Sequence, residues 1–468
     1  MAERIALLHS RVRHQVTELL HDREFLGTLT RLAAPIAMQE FVWASLNFVG
    51  VLMLGQLGET SVAAAALGNQ VFFLLAFFLF GVGTGCSIFT AQLWGKRDVA
   101  SIRKVLALGL VLAASGVLPF SLLAVFAPAR ALRVFSRDPV VVALGAEYLR
   151  IVGLSYLASA VAYTFSFVLK STGNVWLPVS VSMSVMVLNT VLAYSLIFGR
   201  FGLPALGVKG AAVALAASRC LECVVLLAIT YARNLAAAAK VRELLAVDRV
   251  LLGRVLATAV PVILAEVIWS LGISVLNLVY ARIGTESIVA ANIGATVESV
   301  LIVPFVALMN ACAIMVGHRI GSGKQEQARV YAQRVILLSL IGALVLGLAV
   351  VAASGRILSL YQLNELTKSY AQGILVVVAV ALWAKALNMM LIVGTLRAGG
   401  DTRFVFWADT LTTWLTGVAV AAVAAFVWRL PVPWVMLLAM TNEFVKLAIC
   451  LARFRSKKWI HNLTQTPP

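Results

Sequence analysis

The chain has 468 residues, of which 61% are hydrophobic and 12% charged, with a mean hydropathy of +0.96. Soluble domains average about 45–50% apolar and about 25% charged residues, so a soluble globular protein is excluded. The formal charge of +18 does not indicate nucleic acid, because the basic residues sit in short loops between apolar runs, as positive-inside topology predicts.

In lipid every backbone polar group must be satisfied within the protein, so apolar runs of about 20 residues mean helices rather than barrel strands. Residues 1–28, with Arg4, Arg11, Arg13 and Arg23 among Ile5, Leu8, Val12 and Leu19, predict a cytoplasmic amphipathic segment. A surface anchor and a solvated basic helix both fit it. It has no uninterrupted apolar core, so it is not read as a secretory signal. Six apolar runs follow at 29–54, 61–94, 103–132, 139–168, 176–198 and 208–232. A polar connector at 233–254 separates this first lobe (29–232) from a second (255–453). The second lobe has runs at 255–281, 287–317, 329–354, 369–396, 404–428 and 432–452, and a cytoplasmic tail covers 454–468.

With both termini in the cytoplasm, 25 of the 38 Lys and Arg residues lie inside and 9 outside, which sets the orientation. The 130–137 loop, with Arg130, Arg133 and Arg137, is an exception. The two lobes are copies. An offset of 226 places Pro35 on Pro261, Glu40 on Glu266, Trp43 on Trp269, Gly58 on Gly284 and Cys86 on Cys312. At 227, Leu169–Asn174 meets Leu396–Asp401, and Arg219 meets Lys446. Each copy has an even number of spans, so both sit the same way up, as in transporters built from parallel repeats.

An acid at bilayer depth costs roughly 2.5–3.5 kcal/mol on insertion scales, and is a functional candidate for that reason. Three pairs are spaced for local neutralisation on one helix face: Glu147 with Arg150, Arg219 with Glu222, and Glu443 with Lys446. Glu40, Glu266, Asp409 and Lys385 have no such neighbour, and neither has Glu298. At 100° per residue, Glu266, Ser270, Ser274 and Asn277 fall within a stripe of about 80°. Asp409, Thr412, Thr413 and Thr416 form a comparable stripe, and Glu40, Trp43 and Asn47 align on the first span. Ser182 and Asn189 are the copies of Asp409 and Thr416. A shared water-filled cleft accounts for all four stripes.

Two chemistries suit these carboxylates. Desolvation favours the protonated form, so such a group can take up and release a proton near neutral pH. A carboxylate among hydroxyls and carbonyls also suits a hard cation, which would place Na⁺ at Glu266 and Asp409. Trp43 and Trp269, three residues after Glu40 and Glu266, are placed for cation–π contact with an organic cation. The alternative is structural: Glu266 and Asp409 pair with Lys385 and hold helices together.

Several signals are discounted. Cys220-x-x-Cys223 lies mid-span without a second ligand pair, and the five cysteines form no disulfide framework. Gly81-Val82-Gly83-Thr84-Gly85 follows no strand, so close helix contact explains it better than a nucleotide. Gly399-Gly400 reads as a cytoplasmic turn.

Leu169–Pro178 (LKSTGNVWLP), Ile197–Ala212 (IFGRFGLPALGVKGAA), Trp269–Gly272 and Leu396–Arg403 (LRAGGDTR) resemble the multidrug and toxic compound extrusion (MATE) family. The resemblance covers residues 29–453. It implies an all-α membrane protein of twelve transmembrane helices, in two pseudo-twofold-related six-helix lobes around a central cleft. It also implies alternating access and export in exchange for Na⁺ or H⁺. Many members carry an aspartate in the first helix, in an Asn-x-x-Asp-like run. Here that run is Asn47-Phe48-Val49-Gly50, so the acid is missing. The seventh-helix glutamate of other members is matched by Glu266.

The resulting expectation is a secondary active antiporter for small, amphipathic, cationic compounds. It is not an enzyme and needs no cofactor beyond its coupling ion. Glu266 is the principal acid, with Asp409, Glu40, Asn47, Ser270, Asn189, Trp43, Trp269 and Lys385 around substrate and ion. The protein is expected as a monomer, multi-pass in the inner (plasma) membrane, with lipid and an organic substrate as partners and no nucleic acid. A lipid-linked precursor flippase of related fold would need a basic cleft; a membrane-embedded enzyme or channel is the other alternative.

Overall fold

A computed structural model describes residues 22–245 and 248–465, so most of the segment expected at 1–28 lies outside the described residues. Among these, eleven helices are long and apolar enough to cross a membrane, and one bent pair supplies a twelfth span. They are α1 (Arg23–Gly55), α2 (Glu59–Gly95), α3 (Val99–Phe126), the bent pair α4 (Pro139–Gly153) and α5 (Tyr156–Ser171), α6 (Trp176–Phe198) and α7 (Val208–Ala232). The second series is α8 (Arg249–Ile283), α9 (Thr285–Gly321), α10 (Gln325–Ser359), α11 (Glu365–Arg397), α12 (Thr402–Val427) and α13 (Val432–Arg455). Each apolar run read from the sequence is one of these spans.

Side chains close the helix starts. Asp98 accepts the Ser101 N–H at 3.0 Å, Asp138 that of Val140 at 2.8 Å and Asn364 that of Thr367 at 2.7 Å. Such caps contribute about 0.5–2 kcal/mol each. Asp22 does the same for Phe25 at 2.9 Å and pairs with Arg334. The Phe25 N–H and the Arg334 guanidinium hold the Asp22 carboxyl below the usual carboxylate range, against the opposing effect of burial.

The run at 139–168 is not one straight helix. The chain turns by 51° between α4 and α5, at a Gly153–Ser155 pair of the kind that bends helices. Gly153 lies so close to α3 that a Cβ there would stand 2.6 Å from the Ala124 Cβ. The Ser121 hydroxyl donates to the Gly153 carbonyl and the Ser155 hydroxyl to that of Val152, each at 2.7 Å. Those bonds meet the demand that lipid makes of a broken helix.

The duplication is visible in local geometry. Thr172, Gly173 and Asn174 donate their N–H groups to Val168, Lys170 and Leu169, and Gly399, Gly400 and Asp401 donate to Thr395, Arg397 and Leu396. Gly173 and Gly400 take φ of 82° and 93°, which only glycine adopts without strain. The capping residues Asp138 and Asn364 are 226 apart, whereas Leu169 and Leu396 are 227 apart. The extra residue therefore falls inside α11, and α11 ends in a π-helical stretch, Met390–Arg397. A single-turn π-bulge is the form in which a helix holds one residue too many.

The chain divides into two compact units, one of Met1–Ala37 with Leu271–Pro468 and one of Met38–Ser270. Their boundaries fall inside α1 and α8, so each unit differs from the lobes 29–232 and 255–453 by an exchanged half-span. In the first unit, the Phe25 ring meets Tyr331 edge-on at 5.2 Å, and Glu24 pairs with Arg319 at 2.8 Å. In the second, Gly81 and Gly85 of α2 lie against Ile263 and Ala259 of α8. The glycine run is thus a helix contact, built on a small-x-x-x-small spacing.

A Cβ at position 85 would stand 2.8 Å from the Ala259 Cβ and 2.9 Å from its Cα. Gly85→Val is therefore expected to lower the thermal midpoint of the purified protein, at the roughly 1–3 kcal/mol of an overpacked contact. Gly27→Ala, with nothing within 4 Å, is the control and should leave it unchanged.

Candidate functional site

In the unit of residues 38–270, Glu40 is half-buried on α1 and its neighbour Gln39 accepts a hydrogen bond from the Lys170 ammonium at 2.9 Å. Lys170 is within electrostatic range of both Glu40 and Glu222, and the Ser182 hydroxyl hydrogen-bonds Glu222. Arg219 does not simply neutralise Glu222. Its guanidinium lies 3.6 Å from the centre of the Phe72 ring, within electrostatic range of Tyr148, Tyr156 and Tyr163. Its buried Nη1 has no hydrogen-bond partner, and neither has the Tyr156 hydroxyl. The two acids and two bases here balance in charge.

Glu266 belongs to the same unit and is only 9% exposed, one turn before the buried Ser270. The Trp269 ring leans on Phe77 with centroids 5.7 Å apart, and Trp43 is 55% exposed. Asn47 is exposed, and the Oδ1 of Asn189 is buried without a partner. The stripe expected on α8 is divided by depth: Glu266 and Ser270 are buried, Ser274 and Asn277 exposed.

The other unit holds a second charged cluster. The Lys446 ammonium lies 2.7 Å from Asp409 Oδ1 and 3.7 Å from Glu443 Oε1. Asn388 donates its Nδ2 to Glu443 Oε2 at 2.7 Å and to the Glu443 carbonyl at 2.8 Å. Lys385 pairs directly with Glu298. Asp409, Glu443, Lys446 and Asn388 are all buried. The helix carrying the threonine stripe turns π-helical at Thr412–Val418, and the hydroxyls of Thr412 and Thr416 donate back to their own helix at 2.7 Å.

Several expectations are corrected by this geometry. Asp409 is not without a counterion, because Lys446 reaches it from the next span. Lys385 holds Glu298 rather than Glu266 or Asp409. Glu147 pairs with Lys209 at 3.2 Å, while the Arg150 Nε donates to the Val125 carbonyl. In each case spacing along one helix missed a partner on another. Lys170, Glu222 and Asn388 were not recognised as site candidates. One signal was present for Lys170: the duplication sets it on Arg397, so both copies keep a base there.

Comparison with known proteins agrees with the duplication. The family model described as MatE matches twice, over residues 35–195 and 261–423. A probable multidrug resistance protein NorM of Rhizobium meliloti is 31% identical over 348 residues, 72% of this chain and 71% of that protein. Its counterpart from Bradyrhizobium diazoefficiens is 28% identical over 446 residues, covering 92% and 93%. The Vibrio cholerae MATE transporter VcmN superposes with a TM-score of 0.85 at 18% identity, over 94% of this chain and 99% of that one. A MOP-superfamily transporter from Pyrococcus furiosus gives 0.83 at 20% identity, over 94% and 96%.

Proposed function

Since the chain belongs to the MatE family, whose members are transporters and not enzymes, we propose that it exports small amphipathic cations in exchange for H⁺ or Na⁺. Its relatives are named multidrug resistance proteins, which supports drugs as the cargo. No nucleotide-binding motif is found in the sequence, so the energy source in this reading is an ion gradient, with alternating access as the mechanism. The protein would act as a monomer in the inner membrane with both termini in the cytoplasm.

The observation that carries the reading is Glu266: a nearly buried carboxylate in mid-span, one turn from Ser270 and three residues before Trp269. Cation and coupling ion both favour a carboxylate, so binding of one promotes release of the other. Glu40, Asn47, Asn189 and Trp43 support the site, while Asp409 and Lys385 act through the ion pairs that hold them.

Expression in an efflux-deficient host is expected to lower accumulation of an ethidium-like dye. In liposomes containing the purified protein, either a pH gradient alone or a sodium gradient alone should drive dye exchange. Dye movement that responds to neither gradient would rule out exchange transport.

A further inference from the structure

We propose that Glu443 is a proton-binding site, and that its proton is exchanged alongside the ion that competes with the cation at Glu266. As an exchanged ion it rests on the antiport reading above; as a proton site it stands alone.

Glu298, Asp409 and Glu443 are three carboxylates facing two ammonium groups, Lys385 and Lys446. Lys385 is committed to Glu298 by direct contact, and Lys446 to Asp409 at 2.7 Å. Glu443 is left with Lys446 at 3.7 Å, beyond hydrogen-bond reach. It is 8% exposed, and a buried cluster with one carboxylate more than its ammonium groups gives the acid farthest from an ammonium the strongest reason to hold a proton.

The groups facing Glu443 come from every neighbouring span. Lys385 acts on the cluster from α11, Asp409 from α12, and Lys446 and Cys450 from its own helix; Glu298 on α9 stands behind Lys385. A metal cation would have to sit as a second positive centre beside the Lys446 ammonium, whereas a proton bonds to the carboxyl oxygen and leaves a neutral group there.

A second observation points to the same place. Asn388 is 3% exposed and both its Nδ2 bonds go to Glu443, yet its buried Oδ1 has no partner. An ionised carboxylate accepts only and cannot fill that acceptor, whereas a protonated carboxyl can. The first copy differs at the matching positions. Asp409 is replaced there by Ser182 and Lys446 by Arg219, and that cluster has no odd acid.

The test is infrared difference spectroscopy of the full-length protein in liposomes, stepped through pH without substrate, reading the carbonyl stretch of a protonated carboxyl. Wild type should show such a band, and Glu443→Gln, which keeps an acceptor for Asn388, should lack it. Lys446→Gln, with one ammonium against three acids, should show a larger band. In transport, Glu443→Gln should slow pH-driven dye exchange at least tenfold. An unchanged band in Glu443→Gln would overturn the proposal, as would a sodium-specific spectral change that this variant abolishes. Failure of the substrate reading is a different result: Glu266→Gln would transport normally while the Glu443 band still titrated.

Discussion

Glu266→Gln is expected to abolish efflux of cationic dyes while leaving folding intact. Glutamine keeps the shape and one acceptor oxygen but removes the charge, which at bilayer depth costs roughly 2.5–3.5 kcal/mol. The variant should therefore express as well as wild type. What it loses is the attraction for a cation. Truncating one partner of a buried charge pair costs about 2–5 kcal/mol, so affinity for a cationic dye should fall at least tenfold, and accumulation should return to the level of cells without the transporter. Dye binding by fluorescence and accumulation in the efflux-deficient host measure the two effects separately. Normal efflux in this variant would remove Glu266 from the site.

Breaking the Asp409–Lys446 pair should have the largest effect on stability. Both groups are buried and 2.7 Å apart, and removing one partner of a buried pair costs about 3–5 kcal/mol because the other charge is stranded. The two single variants should not be equal. In Asp409→Asn the ammonium still has Glu443 at 3.7 Å, so the cluster becomes two acids with two bases. In Lys446→Met both Asp409 and Glu443 lose their nearest ammonium. Lys446→Met is therefore expected to be the less stable, and the double variant, in which only Glu443 is left without its nearest ammonium, should recover part of the loss. Thermal unfolding of the three purified variants checks the order. Additive losses in the double variant would mean that the two residues are not coupled.

Those two residues also mark where inference from spacing stops. Glu443 and Lys446 were legible as an i,i+3 pair, and that pair exists at 3.7 Å. The tighter bond runs to Asp409, 37 positions earlier in the chain, on the preceding span. The same happened at Glu147, whose nearer base is Lys209 on α7 rather than Arg150 one turn away. Local spacing states which partners a helix can offer itself; a neighbour with better geometry takes precedence once the helices are in contact. The turns behaved differently. Gly173 and Gly400 were set by the backbone conformation that a tight reversal requires, so their role could be read without knowing what lies nearby.

Spans, duplication and turns needed nothing beyond composition, register and a few glycines, because lipid admits only helices and a copied chain keeps its spacing. The one-residue change of offset between the copies was visible in the sequence, but only the folded helix showed a π-helical stretch, Met390–Arg397, in the span that carries the extra residue. The bend between α4 and α5 required contact with α3, and the exchanged half-spans required Gly81 and Gly85 to meet Ile263 and Ala259. Which carboxylate holds its ammonium at hydrogen-bond distance was decided in three dimensions as well. Electrostatic pairing falls off over a few ångströms, and residues far apart in the chain become neighbours only when their helices meet.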